Sequence, residues 1–251
     1  MNHVLTELLE TGCAVSENGN VHRIRSHISK EEGLFLERLV TEVKPTVSLE
    51  VGLAYGVSTL FICQGLAGTN KPRHIVIDPN QFKPTSGPEH DCYEGIGLYN
   101  LRRAGYEQMI EFHDAPSHLA LPLLVENDVK LDFAFIDGWH TFDFACVDFF
   151  YVDMLLRPGG LVVLDDTDFP SVWKLARFIV RNRAYEVVGC LPSADVVTRH
   201  PLRWLRLNGT RKLSRAWYQL LHSDGLSPHN RCIAFRKAGE DTRSWDFHRD
   251  F

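Results

Sequence analysis

Two segments, LDFAFID at 131–137 and GLVVLDD at 160–166, are apolar at nearly every position and end in aspartate. A strand that is apolar on both faces has to be covered on both faces, which only a sheet sandwiched between helices provides. Three further strand candidates, TVSLEVG at 46–52, HIVID at 74–78 and MIEF at 109–112, precede them. Helical patterns separate them: 29–42, 58–66, 91–104, 117–127 and 142–156, with another at 171–183. Ser29 followed by Glu32 predicts a capping box at the first of these, with Leu36, Leu39, Val40 and Val43 as its apolar stripe. YEVVGCL and CIAFRK supply two later strands, at 185–191 and 232–237. Right-handed crossovers then give an α/β fold: a doubly wound, mostly parallel seven-stranded sheet with helices on both faces.

A chain of 251 residues suits one large domain whose core needs no disulfide or structural metal. Its formal net charge of −5 argues against a domain that coats nucleic acid. No apolar run is long enough to span a bilayer, so no transmembrane segment is expected. The N-terminus, with Glu7 and Glu10, does not read as an export signal, and the six scattered cysteines form no CxxC pair. A reducing, cytoplasmic setting is the expectation.

Residues 1–28 read as a loosely attached arm with a short helix at VLTELLE, and 29–251 as the domain, with an insertion at about 192–230. Within the insertion, residues 199–215 carry Arg199, Arg203, Arg206, Arg211, Lys212 and Arg215 and no acidic residue. Leu213, Trp217, Leu220 and Leu221 fit one helical face, suited to packing on the domain or on a second subunit. A homo-oligomer is expected on that basis. The basic charge leaves an anionic substrate or a membrane headgroup as the other reading.

A small-molecule crevice is expected at the carboxyl ends of the strands. There the chain runs from Glu50 and Gly52 through Gly56 into a helix near Ser58. Glycines permit close backbone approach, and the free N–H groups of a helix start favour electronegative ligand atoms. The dinucleotide fingerprint GxGxxG is not met, because Ala54 stands in its second place. Asp78 ends the second strand, where an acid can accept both hydroxyls of an adenosine ribose. Asp114 and Ala115 follow the third strand, in position to border an adenine or simply to start a helix.

Asp137, Asp165 and Asp166 end two strands that open on the same crevice. Three converging carboxylates repel unless one is protonated or a cation is shared. A hard divalent ion such as Mg2+ is the economical solution, since it prefers oxygen ligands and keeps exchangeable waters. Loop-capping aspartates are the alternative.

Together LEVGLAYGVSTL, VIDP, FIDGWH and RPGGLVVLDD resemble the class I S-adenosylmethionine-dependent methyltransferases. Within them the chain resembles the small metal-dependent O-methyltransferases of the catechol type and their natural-product sugar relatives. The resemblance covers roughly residues 30–182. It implies that Glu50, Gly52, Gly56 and Ser58 wrap the methionine part of S-adenosyl-L-methionine and that Asp78 is the ribose acid, where many catechol-type members carry Glu. It implies that Asp137 borders the cofactor and ligates the metal, and that His140, three residues on, is the general base, where catechol-type relatives usually carry Lys. An imidazole can take a hydroxyl proton near neutral pH. The expected acceptor is a hydroxyl of a small molecule, a sugar or a vicinal diol, with Tyr55, Tyr93, Trp139, Phe142 and Phe169 within reach on loops. Two other readings stand beside it: an adenosine-cofactor-binding scaffold without catalysis, and an NAD-dependent oxidoreductase.

Overall fold

The computed structural model describes residues 1–25, 27–83, 92–192 and 226–251. The basic 199–215 segment with Trp204, the face of Leu213, Trp217, Leu220 and Leu221, and residues 84–88 of the Pro/Gly-rich loop after the second strand lie outside the described residues.

The N-terminal segment is not loosely attached. Helix α1 (His3–Thr11) is capped by Asn2, whose side chain accepts from the Val4 amide at 2.9 Å. Val4, Leu5 and Leu8 are fully buried in the main core. Arg103 makes two hydrogen bonds to Glu7, at 3.3 and 2.7 Å. The partners come from residues about a hundred positions away, so VLTELLE alone gives no measure of how firmly it is held. A two-stranded hairpin, β1 (Cys13–Val15) with β2 (Val21–Arg23), follows. Helix α2 (Lys30–Val43) carries the expected capping box: the Glu32 amide donates to Ser29 Oγ at 3.2 Å and the Ser29 amide to Glu32 Oε2 at 2.6 Å.

The central sheet contains β3 (Val47–Val51), β4 (Arg73–Ile77), β5 (Ile110–His113), β6 (Leu131–Ile136), β7 (Leu156–Leu164), β8 (Tyr185–Leu191) and β9 (Cys232–Lys237). Their order is β5-β4-β3-β6-β7-β9-β8. The pairs from β5 to β7 are parallel, whereas β9 runs antiparallel between β7 and β8. Alternate residues of β6 enter opposite cores: Phe133 and Phe135 meet the side holding α2 and α3 (Val57–Leu66), Ala134 and Ile136 the other. On that second face lie α5 (Ser117–Glu126), α6 (Phe142–Leu155) and α7 (Pro170–Asn182). This is the doubly wound, mostly parallel seven-stranded fold that the apolar strands require.

One helix starts later than its pattern predicts. Helix α4 (Ile96–Arg103) begins at Ile96 because Glu94 and Gly95 adopt left-handed angles, φ 52° and 70°, which stop a right-handed helix from extending backward.

Asp148 on α6 is only 1 % exposed, with Oδ1 unpaired, and it lies behind the turn after β6, where a Cβ on Gly138 would come within 3.2 Å of its Oδ2. Burial raises its pKa to about 6, opposed by a hydrogen bond with Ser117. The folded state therefore holds a proton that the unfolded state has lost between about pH 4 and 6, and stability falls as pH rises through that window. The loss is on the order of 3 kcal/mol. D148N removes this dependence: its melting temperature relative to wild type should rise between pH 4.5 and pH 7. An offset that is the same at both pH values would contradict the assignment.

Candidate cofactor and metal site

The parallel ladder continues one residue beyond each strand. Val51 pairs in register with both Ile77 and Ile136, Ile77 with His113, and Ile136 with Leu164. The next amides close the row: Asp78 N donates to His113 O at 3.2 Å, Gly52 N to Ile77 O at 2.9 Å, Asp137 N to Val51 O at 3.0 Å and Asp165 N to Ile136 O at 3.1 Å. Asp114, Asp78, Gly52, Asp137 and Asp165 thus stand in one line along the carboxyl edge of the sheet. At about 4.8 Å per strand, Asp78 and Asp137 are roughly 10 Å apart, with the glycine turn between them.

Gly52 has no freedom to be anything else. Its φ is 99°, and a Cβ there would lie 2.1 Å from the carbonyl oxygen of Asp137. The turn from Gly52 to Gly56 is pinned by side chains that flank it. Asp78, 4 % exposed, accepts through Oδ2 from the amides of Leu53 at 2.9 Å and Ala54 at 2.8 Å. Its Oδ1 accepts from the Asn80 amide at 2.7 Å. Gln81 Nε2 donates to Ala54 O at 2.8 Å, and Asn100 Nδ2 to Tyr55 O at 3.0 Å. Gln81 Oε1 and Asn100 Oδ1 are buried without a partner.

Glu50 and Ser58 meet beneath this turn: Ser58 Oγ donates to Glu50 Oε1. Glu50 is fully buried, and its Oε2 lies 3.1 Å from His74 Nε2. Asp114 is exposed and Ala115 half-buried, both just past the end of β5.

At the other end of the row, one oxygen each of Asp137 and Asp166 and one nitrogen of His140 lie within 4.8 Å of one another. His140 Nε2 is 3.3 Å from Asp166 Oδ2 and 3.9 Å from Asp137 Oδ1. Asp165 does not join this group. It is 5 % exposed, with Oδ1 buried and unpaired, and it faces Glu32 of α2. Both residues lie past the end of β7 at Leu164, where the chain turns, so Asp165 and its neighbour Asp166 diverge. Asp166 sits at φ 48°. Arg231, half-exposed at the start of β9, is 3.5 Å from both Glu32 Oε1 and Asp166 Oδ1.

Charge is concentrated here. Burial, then Asp165, Asp166, Glu50 and Glu32, push Asp137 well above the usual carboxylate range. Burial, Glu32 and Asp166 do the same for Asp165, opposed by its hydrogen bond to the Asp166 backbone and by Arg231. Such a cluster gains from an added cation. Two carboxylates and an imidazole form a mixed oxygen–nitrogen set, open to Mn2+, Fe2+ or Zn2+ as well as Mg2+.

Aromatic side chains rim this end. Phe169, 44 % exposed, stands edge-on to the His140 ring at 5.5 Å, and Trp139 is 42 % exposed. Phe142 is exposed nearby in sequence, whereas Tyr55 is buried edge-on to Tyr93 at 5.1 Å, under the glycine turn. Sequence reasoning missed His74, Gln81, Asn100, Glu32 and Arg231. Of these, only His74 carries a legible signal, a polar side chain within an apolar strand.

Among the described residues, no helix is long and apolar enough to cross a membrane. A family model described as a methyltransferase domain matches residues 49–167, the stretch that holds every residue of the row. A probable caffeoyl-CoA O-methyltransferase of Arabidopsis thaliana is 30% identical over 145 residues, 55% of this chain and 54% of that protein. The caffeoyl-CoA O-methyltransferase of Mesembryanthemum crystallinum is 27% identical over 146 residues, 55% of this chain and 50% of its own length. The chain thus spans about half the length of the curated relatives it matches. Among solved structures, the O-methyltransferase from Bacillus cereus in complex with S-adenosylhomocysteine aligns with TM-score 0.57 at 21% identity, over 74% of this chain and 83% of that one. TomG from Streptomyces achromogenes, an O-methyltransferase in complex with S-adenosylmethionine, aligns with TM-score 0.57 at 17% identity, over 74% and 82%. At that identity the structural likeness speaks for the fold. Over residues 49–167 the chain is thus similar to class I S-adenosylmethionine-dependent methyltransferases and, through its curated relatives, to the O-methyltransferases among them.

Proposed function

We propose that this chain transfers the methyl group of S-adenosyl-L-methionine to a hydroxyl of a small ring compound, a sugar or a vicinal diol, with the help of a divalent cation. The observation that carries this reading is the single line from Asp78 through Gly52 to Asp137, which ends in the Asp137, His140 and Asp166 cluster. A dinucleotide reading has no use for that cluster, and a binding scaffold has no need of it.

Glu50, Gly52, Gly56 and Ser58 would hold the donor's methionine part, Asp78 its ribose, and Asp114 with Ala115 its adenine. When bound, the donor supplies a methyl group already activated on a sulfonium, and a cation at the cluster lowers the pKa of an acceptor hydroxyl. The chain's own residues do the rest. Asp137 and Asp166 hold the cation, and Asp165 adds charge from behind. His140 Nε2 takes the acceptor's proton, and Asp166 Oδ2, 3.3 Å away, stabilises the imidazolium that results. Trp139 and Phe169 hold the acceptor ring and exclude water, so that most of the barrier reduction comes from orientation. A second reading has a specific observation in its favour: the proximity of His140 Nε2 to both carboxylates suits a third metal ligand.

S-adenosylhomocysteine should bind and raise the melting temperature, while NAD should not. D78A should weaken that binding by about tenfold or more, because a charge-assisted acceptor is lost from both the ribose and the glycine turn. Equal calorimetric affinity in wild type and D78A would remove the ribose assignment.

D137N should lower metal affinity, with turnover partly restored by excess Mg2+ or Mn2+. H140A should keep metal affinity and lose roughly 10²–10⁴-fold in kcat, a deficit that shrinks as pH rises. Metal affinity that falls as far in H140A as in D137N makes His140 a ligand. Wild-type kcat in H140A would remove it from the chemistry altogether.

A further inference from the structure

A chain of polar groups runs through the core beneath the glycine turn. Ser48 on β3 and His74 on β4 are register partners, and both are fully buried. Ser48 Oγ lies 2.9 Å from His74 Nδ1, and His74 Nε2 lies 3.1 Å from Glu50 Oε2. The other oxygen of Glu50 accepts from Ser58 Oγ, in the first turn of α3. Glu50 is therefore gripped at both oxygens, by groups from two different elements. Cys63 on α3 and Asp137 at the end of β6 also sense its charge across the core.

Burying such a set is costly. A buried hydrogen-bonded polar set can commonly be replaced by apolar residues of the same shape with little loss of stability. Stability alone gives no reason for a histidine whose two ring nitrogens are both engaged. The donor supplies one: its methionine part carries an ammonium and a sulfonium, both positive. A carboxylate fixed under the turn, in a low-dielectric setting, attracts that charge far more strongly than one in water.

We infer that His74 is a positioning residue for the methyl donor: held by Ser48, it fixes Glu50 under the turn from Gly52 to Gly56, so that the carboxylate's charge serves the donor's cationic methionine end. The inference rests on the reading that this end binds over Glu50 and Ser58. His74 itself does not touch the donor, and its effect is expressed through Glu50.

Two amide substitutions separate the roles of the two ring nitrogens. H74N reaches the Nδ1 position and keeps Ser48 but leaves Glu50 Oε2 without a donor. H74Q reaches the Nε2 position and keeps Glu50. Titration of S-adenosylhomocysteine into the full chain should give about tenfold weaker binding for H74N, and only about threefold weaker binding for H74Q, which loses the Ser48 contact alone. At saturating donor the acceptor KM should be unchanged in both. In an E50Q background, H74N should cost nothing further, because the carboxylate it serves is gone.

Equal affinity in wild type and H74N would overturn the inference. So would an equal loss in H74N and H74Q, or a loss that persists undiminished in E50Q, since either makes the imidazole a packing element. If H74N does not fold, S48A takes its place. It removes only the contact to Nδ1 and should weaken binding about threefold, whereas wild-type affinity in S48A would overturn the inference equally. Absence of binding in wild type itself would instead remove the donor-site reading on which the inference stands.

Discussion

The last rung of the parallel ladder holds the site together. Strands β4, β3, β6 and β7 are each followed by one more backbone hydrogen bond to a neighbour, and the residues that make those bonds are Asp78, Gly52, Asp137 and Asp165. A parallel sheet staggers its hydrogen bonds evenly, so equal register across adjacent strands becomes a straight row of side chains at one edge. Because each amide in that row is bound to a strand on its flank, the spacing of the row is set by the sheet and not by loop conformation. Gly52 shows how tight the arrangement is, since its backbone passes so close to the Asp137 carbonyl that no side chain fits. The distance between the two ends of the row then follows from strand spacing alone.

Electrostatics divides the row into two halves. Around Asp78 the carboxylate is satisfied by backbone amides, which makes it part of the turn it borders. Around Asp137 the carboxyls crowd together, and burial first, then their mutual repulsion, raise the pKa values of Asp137 and Asp165. Arg231 offsets some of it from a half-exposed position. A cation would offset the charge of the second half, whereas the first half is already balanced by the amides it binds.

Much of this was legible in the sequence because the strands are apolar on both faces and each ends in a polar residue. The punctuation by Glu50-x-Gly52, Asp78, Asp137 and Asp165-Asp166 marks the carboxyl edge directly. What was not legible depends on contacts between distant segments or on local backbone angles. The N-terminal helix is held by Gln64, Arg103 and Ala104, and VLTELLE carries no trace of them. The start of α4 is set by left-handed angles at Glu94 and Gly95. The sequence suggests three converging aspartates, yet the turn after β7, with Asp166 at a left-handed angle, sends Asp165 toward Glu32 and leaves Asp166 to meet His140. His74 meets Glu50 only because β3 and β4 pair in the register that sets Ser48 beside it.

The most direct measurement is a crystal structure with S-adenosylhomocysteine and Mn2+, with data collected for the anomalous signal of manganese. The account predicts the homocysteine part over Gly52 to Gly56, ribose hydroxyls at Asp78, and an anomalous peak bound by Asp137 and Asp166 next to His140. A nucleoside bound away from the row, or a manganese peak with no contact to Asp137, would contradict it.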